Sequence, residues 1–299
     1  MIPARVRIVE VGPRDGLQNE AASIPTPDKI AFIDALAEAG HAVIEVSAFV
    51  SPKWVPQMSD AAAVFAGIAR RPGTRYTALV PNNEGLDRAI AARVDEVAVF
   101  AAASESFSQR NINQSIDASL ERYRDVCDRA RAASLPVRAY VSTAFGCPFE
   151  GAVDPSAVAH VARALVQMGA YEVAISDTIG IAHPGQVAHV LEVVLAWMPR
   201  DTVALHFHDT RGTALANVLT ALQLGVSTFD SSAGGLGGCP YAPGATGNLA
   251  TEDLLYMLDG MGIETGVSID AVAKASRLIG AKLDHPLPSR YLAALRSQK

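Results

Sequence analysis

Two histidines stand one residue apart in HFHDTRG, His206 to Gly212, directly behind a run of apolar β-formers. Alternate side chains of a β-strand share a face, so His206 and His208 point the same way if the strand runs through them. Two imidazoles presented together can hold one metal ion. The plain alternative for any H-x-H pair is one packed and one exposed histidine. Other segments weigh on the choice. VEVGPRDGLQ carries Arg14 and Asp15 just past an N-terminal β-rich run, and the glycine-rich SSAGGLGGCPYAPGATGN holds Cys239 in its middle and ends at Asn248. Glu45 in IEVSAF and Asp177 in ISDTIG are carboxylates near the ends of two further runs.

These groups meet only if the chain brings distant segments to one place. Short β-branched runs alternate with longer Ala-rich stretches of helical period, the pattern of repeated βα units. Strands are expected at 6–11, 43–47, 75–80, 96–101, 137–142, 171–176, 203–207 and 226–230. Helices are expected between them, among others at 26–39, 118–133, 154–168, 185–197 and 213–224. Thr26-Pro27 reads as a cap followed by proline in the first turn. Eight such units predict a (β/α)8 TIM barrel, with residues 1–299 as one domain and 251–299 as a C-terminal helical extension. In such a barrel the chemistry lies at the C-terminal ends of the strands, where every residue named above falls.

The bulk properties narrow the function classes. With 299 residues, 49% of them hydrophobic, the chain can bury a large core. A formal charge of −6 and scattered basic residues argue against a nucleic-acid partner. Three distant cysteines provide neither a disulfide framework nor a zinc ribbon. Cys127, in a helical stretch, and Cys147, after the fifth strand, read as small buried hydrophobes. No apolar run is long enough for a membrane helix, and the opening residues resemble no export or transit signal, so a cytoplasmic enzyme is expected.

Strand 1 neighbours strand 8 in a closed barrel, and strand 7 is one further, so Asp15 can reach a metal held by His206 and His208. Asn248 could add an amide oxygen. Such a donor set suits Mg²⁺ or Mn²⁺, with Zn²⁺ possible. Cys239 lies in a long loop with little core to bury it, where a thiol can act as nucleophile or proton donor. Glu45 and Asp177, pointing inward, need a partner such as Arg14 or the metal.

Together, VEVGPRDGLQNE, SAFVSPKWVPQM, ISDTIGIAHPG, HFHDT and GGLGGCPYAPGATGNLATEDLLYML resemble the 3-hydroxy-3-methylglutaryl-CoA lyases. These belong to a metallolyase superfamily of TIM barrels that also holds the isopropylmalate and homocitrate synthases. The resemblance runs from about Arg5 to about Gly266. The synthases typically carry Glu-Arg where this chain has Cys239-Pro240-Tyr241, which favours cleavage over condensation.

The resemblance implies metal ligation by Asp15, His206, His208 and Asn248, enolate stabilisation by Arg14, and catalytic roles for Cys239, Glu45, Asp177 and His206. It also implies an acyl-CoA substrate, a homodimer, and retro-Claisen cleavage to acetyl-CoA and acetoacetate. In that reaction His206 or Asp177 takes the C3 hydroxyl proton and Cys239 returns a proton to the enolate carbon. Ala21, Ala48 and Ala174 depart from the family pattern by removing polar groups near the substrate. A lyase for a related 3-hydroxy-3-alkylglutaryl-CoA or other 3-hydroxyacyl-CoA is therefore the near rival. A condensing synthase and a non-catalytic metal-binding scaffold are the more distant ones.

Overall fold

The computed structural model describes residues 2–238 and 247–296. Cys239 lies outside the described residues. Eight parallel strands close on themselves in sequence order. They are β1 (Arg7–Glu10), β2 (Val43–Ala48), β3 (Arg75–Leu79), β4 (Glu96–Ala102), β5 (Val137–Ser142), β6 (Glu172–Asp177), β7 (Val203–Phe207) and β8 (Thr228–Ser231). Residue for residue, β1 pairs with β8 through Val9 and Asp230, which joins the first and last strands. The expected (β/α)8 barrel is the fold.

Helices alternate with these strands: α1 (Thr26–Glu38), α2 (Ala61–Gly67), α3 (Asn83–Ala91), α4 (Glu105–Ile112), α5 (Ile116–Ala132), α6 (Pro155–Gln167), α7 (Pro184–Leu195) and α8 (Ala214–Gln223). After β8 come α9 (Thr251–Gly260), α10 (Ile269–Gly280) and α11 (Arg290–Arg296). Within the expected extension, α9 packs on α8 and α10 packs on α1, so these two helices complete the ring around the barrel.

The strands are buried almost throughout because helices cover their outer faces, which is why they read as continuous apolar runs. Helix starts follow side-chain acceptors. Asn82, Ser115 and Asp154 each accept a backbone N–H in the first turn of α3, α5 and α6. His183 and Gln186 form a reciprocal cap on α7. The expected Thr26 cap is not formed. Thr26 is already helical, and its hydroxyl donates to Asp60 Oδ2 at 2.7 Å. Proline next to it fixes the first turn without a side-chain cap. The last strand begins two residues later than expected, since Val226 still belongs to the turn behind α8.

Cys127 is buried in the core and Cys147 packs with Ala102 and Phe107, its Sγ 2.9 Å from the Ser104 hydroxyl. Phe32 of α1 is fully buried in the layer between helices and barrel. Phe32→Ala is expected to lower unfolding stability by about 3–5 kcal/mol. Trp54→Ala, at a side chain 80% exposed, should change it by less than about 0.5 kcal/mol. Equilibrium urea unfolding of both variants measures the contrast.

Candidate metal centre and active site

Loop 1 leaves β1 as a single π-helical turn over Gly12–Gly16, which sets Arg14 and Asp15 at the barrel mouth. β7 delivers His206, and the chain continues through a one-residue bridge between His208 and Asn248. That bridge keeps the strand alternation going past the end of β7, so both rings face inward with centroids 5.3 Å apart. The same bridge places Asn248 beside them.

Asp15 Oδ2 lies 3.8 Å from His206 Nε2 and 3.9 Å from His208 Nε2. Both separations exceed a hydrogen bond. One ion between these atoms, at metal–ligand distances of about 2.0–2.2 Å, would reach all three. Asp15, His206 and His208 form a metal-capable cluster among the described residues. Asn248 Nδ2 donates to Asp15 Oδ2 at 2.9 Å and to Leu236 O at 3.0 Å, while its Oδ1 is buried with no hydrogen-bond partner. A buried amide oxygen without a partner is costly unless something positive meets it. The residues therefore fit a divalent cation held by two imidazole nitrogens, a carboxylate and an amide oxygen.

The surroundings favour the ligating forms of Asp15 and His208, whereas those of His206 favour its cation while no metal is bound. Burial pushes the Asp15 carboxyl up, but the Arg14 guanidinium first, then His206 and His208, hold it down at about 2. Burial, reinforced by His206, pulls His208 down to about 4, leaving its imidazole neutral at pH 7. Burial also disfavours the His206 cation, yet its hydrogen bond with Asp230 and the charge of Asp15 raise its pKa.

Arg14 is 7% exposed and reaches two carboxylates: Nε donates to Glu45 Oε2 at 2.6 Å and Nη1 to Asp15 Oδ1 at 2.6 Å. Its guanidinium also lies over the Tyr140 ring, 5.6 Å from the centroid. Glu45 thus has the partner anticipated for it, and burial raises its pKa despite that partner. Asp177 is 1% exposed but uses its carboxylate differently, accepting from Ile181 N and Ala182 N, each at 3.0 Å. Neither Arg14 nor the ligand cluster is its hydrogen-bond partner, although it feels the charge of His206. Burial brings its pKa to about 6. Asp209, next after His208, accepts from Ala214 N at 3.0 Å and so belongs to the start of α8. Of the residues singled out in the sequence, Arg14, Asp15, Glu45, His206, His208 and Asn248 converge, and Asp177 lies beside them.

Several contributing residues had no place in the sequence reading. Asp230 of β8 lies 3.2 Å from His206 Nδ1 and receives Arg138 of β5 through both guanidinium ends, at 2.6 and 3.2 Å. β5 and β8 are not neighbours, so this contact crosses the barrel interior. The Tyr140 ring meets His206 edge-on and lies under Arg138. The inward polar residue at a strand end, the rule that selected Glu45 and Asp177, would also have found Asp230.

Two buried carboxylates fix the loops from behind. Glu10 Oε1 accepts from Gly12 N at 2.8 Å and Ala233 N at 2.9 Å, and its Oε2 accepts the Thr251 hydroxyl at 2.8 Å. Glu252 accepts from Gly234 N at 2.9 Å and from the Ser276 hydroxyl at 2.5 Å. Loop 1 and the glycine-rich loop are thereby tied to one another. A cavity of about 380 Å³ opens beside this junction, lined in part by Asn19, Ala21, Gly237, His285 and Pro288.

A family model described as HMGL-like matches residues 5–279. The chain belongs to this family. It is 55% identical over 294 residues to a 3-hydroxy-3-isohexenylglutaryl-CoA/hydroxymethylglutaryl-CoA lyase of Pseudomonas aeruginosa, covering 98% of each. The crystal structure of the hydroxymethylglutaryl-CoA lyase from Pseudomonas aeruginosa matches with a TM-score of 0.97 and 54% identity, covering 100% of this chain and 99% of that one. An HMG-CoA lyase from Acinetobacter baumannii, in complex with coenzyme A and 3-methylmalate, matches with a TM-score of 0.93 and 37% identity over 97% of this chain and 95% of that one. The expected membership in the HMG-CoA lyase family holds over nearly the whole chain.

Burial raises the Glu10 pKa from 4.5 to about 8, against its three hydrogen bonds. A group raised in the folded state stabilises fully below its unfolded pKa and loses that contribution as pH rises through the folded one. The melting temperature should therefore fall with pH between about 4.5 and 8, and less steeply in Glu10→Gln, whose amide cannot ionise. Equal slopes in a thermal-melt series of the two proteins would remove Glu10 as a source of that dependence.

Proposed function

We propose that this member of the HMGL-like family is a divalent-cation-dependent carbon–carbon lyase that cleaves 3-hydroxy-3-methylglutaryl-CoA to acetyl-CoA and acetoacetate. The observation carrying this reading is the convergence, at one barrel mouth, of Asp15, His206 and His208 with the Arg14 guanidinium, beside an Asn248 amide whose oxygen has no partner. High identity to lyases named for this substrate supports it. Mg²⁺ or Mn²⁺ suits the mixed nitrogen and oxygen donors, and Zn²⁺ is compatible with them. A cation bound there polarises a substrate oxygen and offsets developing negative charge.

The chain's own residues supply the remaining steps. A base removes the C3 hydroxyl proton, the C3–O bond becomes a carbonyl, and the C2–C3 bond breaks with its electron pair entering the thioester enolate. His206 has Nδ1 turned to Asp230 and Nε2 turned to the ligand cluster, which leaves it no free nitrogen for that proton. Asp177, with a pKa of about 6, is matched to proton transfer near neutral pH and is the assigned base. Arg14 stays cationic at any working pH, because Glu45 and Asp15 raise its pKa against burial, and stabilises the enolate oxygen. Cys239, which follows in sequence the Ala233–Gly234 turn held by Glu10 and Glu252, is assigned as the donor that protonates C2. The cavity bounded by Asn19, Gly237 and Pro288 is assigned to the CoA arm of the substrate; the Acinetobacter baumannii lyase is the relative solved with coenzyme A.

A second reading concerns the C3 substituent. Ala174 pairs with Tyr140 across β5 and β6, and we tie the choice of C3 substituent to this small residue. The Pseudomonas aeruginosa relative carries a longer-chain glutaryl-CoA in its name.

An assay that identifies products by mass tests both readings. The expected result is acetyl-CoA and acetoacetate from 3-hydroxy-3-methylglutaryl-CoA without an added 2-oxo acid, silence after chelation, and recovery with Mg²⁺ or Mn²⁺. Arg14→Gln should lower kcat by about 10²–10³-fold, the range for loss of one donor to a developing oxyanion. Turnover that survives exhaustive chelation would contradict the cation-dependent reading, and a preference for longer 3-alkyl substrates would select the second.

A further inference from the structure

The His206 ring has two nitrogens, and only a ring protonated on Nδ1 offers Nε2 as a lone pair toward Asp15 and His208. Asp230 faces Nδ1 at 3.2 Å. Asp230 is itself fixed: Arg138 Nη2 donates to its Oδ1 at 2.6 Å and Nη1 to its Oδ2 at 3.2 Å. Arg138 in turn is 1% exposed, stacks over Tyr140 at 4.9 Å, and donates through Nε to Glu172 Oε1 at 2.8 Å. Arg7, pairing with the other Glu172 oxygen, ends this chain of charges on the far side of the barrel.

We propose that Asp230 and Arg138 are positioning residues that lock His206 in the Nδ1–H tautomer, so that Nε2 is the nitrogen the neutral ring presents to a cation. This rests on the cation site described above. Asp230 supplies the acceptor for Nδ1–H. Arg138 holds the carboxylate plane through both oxygens, so that Oδ2 stays turned to the ring. The guanidinium spans the barrel from β5 to β8 and is held by the Tyr140 ring, by Glu172 on Nε and by Asp230 on its far nitrogens.

The geometry makes Asp230→Asn a sharp probe. The asparagine has one oxygen, and the 2.6 Å Arg138 contact claims it over the 3.2 Å one, because an NH₂ group opposes a guanidinium donor in either place but more strongly at the shorter distance. The NH₂ group then takes the Oδ2 position and faces His206 Nδ1. It can donate only to an unprotonated Nδ1, which moves the ring proton to Nε2 and blocks the ligand position. Adding Arg138→Met frees the asparagine to turn its oxygen back to Nδ1–H, while Glu172 keeps Arg7 as a partner.

Two measurements on the purified full chain test this. Nitrogen-15 histidine NMR of the metal-free protein at alkaline pH, with His206 assigned through His206→Gln, reads the tautomer directly. Mn²⁺ titration by calorimetry reads affinity without any turnover. The expected result is Nδ1–H in the wild type, Nε2–H in Asp230→Asn with Mn²⁺ affinity reduced by about 10–100-fold, and recovery of both in Asp230→Asn/Arg138→Met. An Asp230→Asn protein that keeps Nδ1–H, or binds Mn²⁺ as the wild type does, overturns the proposal. A folded double variant as weak as the single one overturns the part assigned to Arg138. Wild-type protein that binds no Mn²⁺ while showing the Nδ1–H tautomer would overturn the cation site rather than the lock.

Discussion

A carboxylate oxygen facing two imidazole nitrogens across less than 4 Å, inside a closed barrel, is an arrangement that requires positive charge. Arg14 provides one such charge, on the Oδ1 side of Asp15. The Oδ2 side, where both Nε2 atoms converge and the Asn248 amide lies within hydrogen-bond distance, is shaped for another. The rest of the interior follows from holding that cluster steady. Every further charge brought in beside this cluster has to be paired in turn, since an unpaired buried ion is costly. Asp230 holds His206, Arg138 holds Asp230, and Glu172 with Arg7 completes the series. The barrel core is consequently a layered salt network where the common TIM barrel has branched apolar side chains.

The outer layer serves the same end by tying loops together. β1 and β8 adjoin, so loop 1 and the glycine-rich loop start from neighbouring strand ends. Glu10 bonds to Gly12 and Ala233 at once, and Glu252 holds Gly234. The approach is so close that a Cβ on Gly247 would sit 1.9 Å from Gly235 O, which is why this stretch carries glycine. Asp15 and Asn248, more than 230 residues apart in the chain, are thereby held within hydrogen-bond distance.

The fold was legible because the strands are covered on both faces. Each reads as a short β-branched run, and the eight runs, separated by helical stretches, leave few alternatives. Strand and helix ends were less so. Thr26 looks like a cap, but the proline beside it already fixes the turn, and Asp60, distant in sequence, takes its hydroxyl. The clustering of Asp15, His206 and His208 was legible because H-x-H and GPRDG fall at strand ends, where inward alternation is a local property. The orienting residues were not, because their meaning depends on partners across the barrel. Arg138 in VRAYVS is unremarkable until Asp230 of a non-adjacent strand meets it. Asp177 shows the converse: its place at a strand end suggested a ligand-side partner, whereas the backbone of its own loop binds both oxygens.

The central claim is that a single divalent ion is gripped by groups from loop 1, β7 and the segment after the glycine-rich loop. Anomalous diffraction from crystals of the Mn²⁺-loaded protein tests it most directly. The account predicts one strong peak within about 2.0–2.3 Å of Asp15 Oδ2, His206 Nε2, His208 Nε2 and Asn248 Oδ1. Loaded crystals with no peak among these four atoms, or with the ion bound by other side chains, would contradict it.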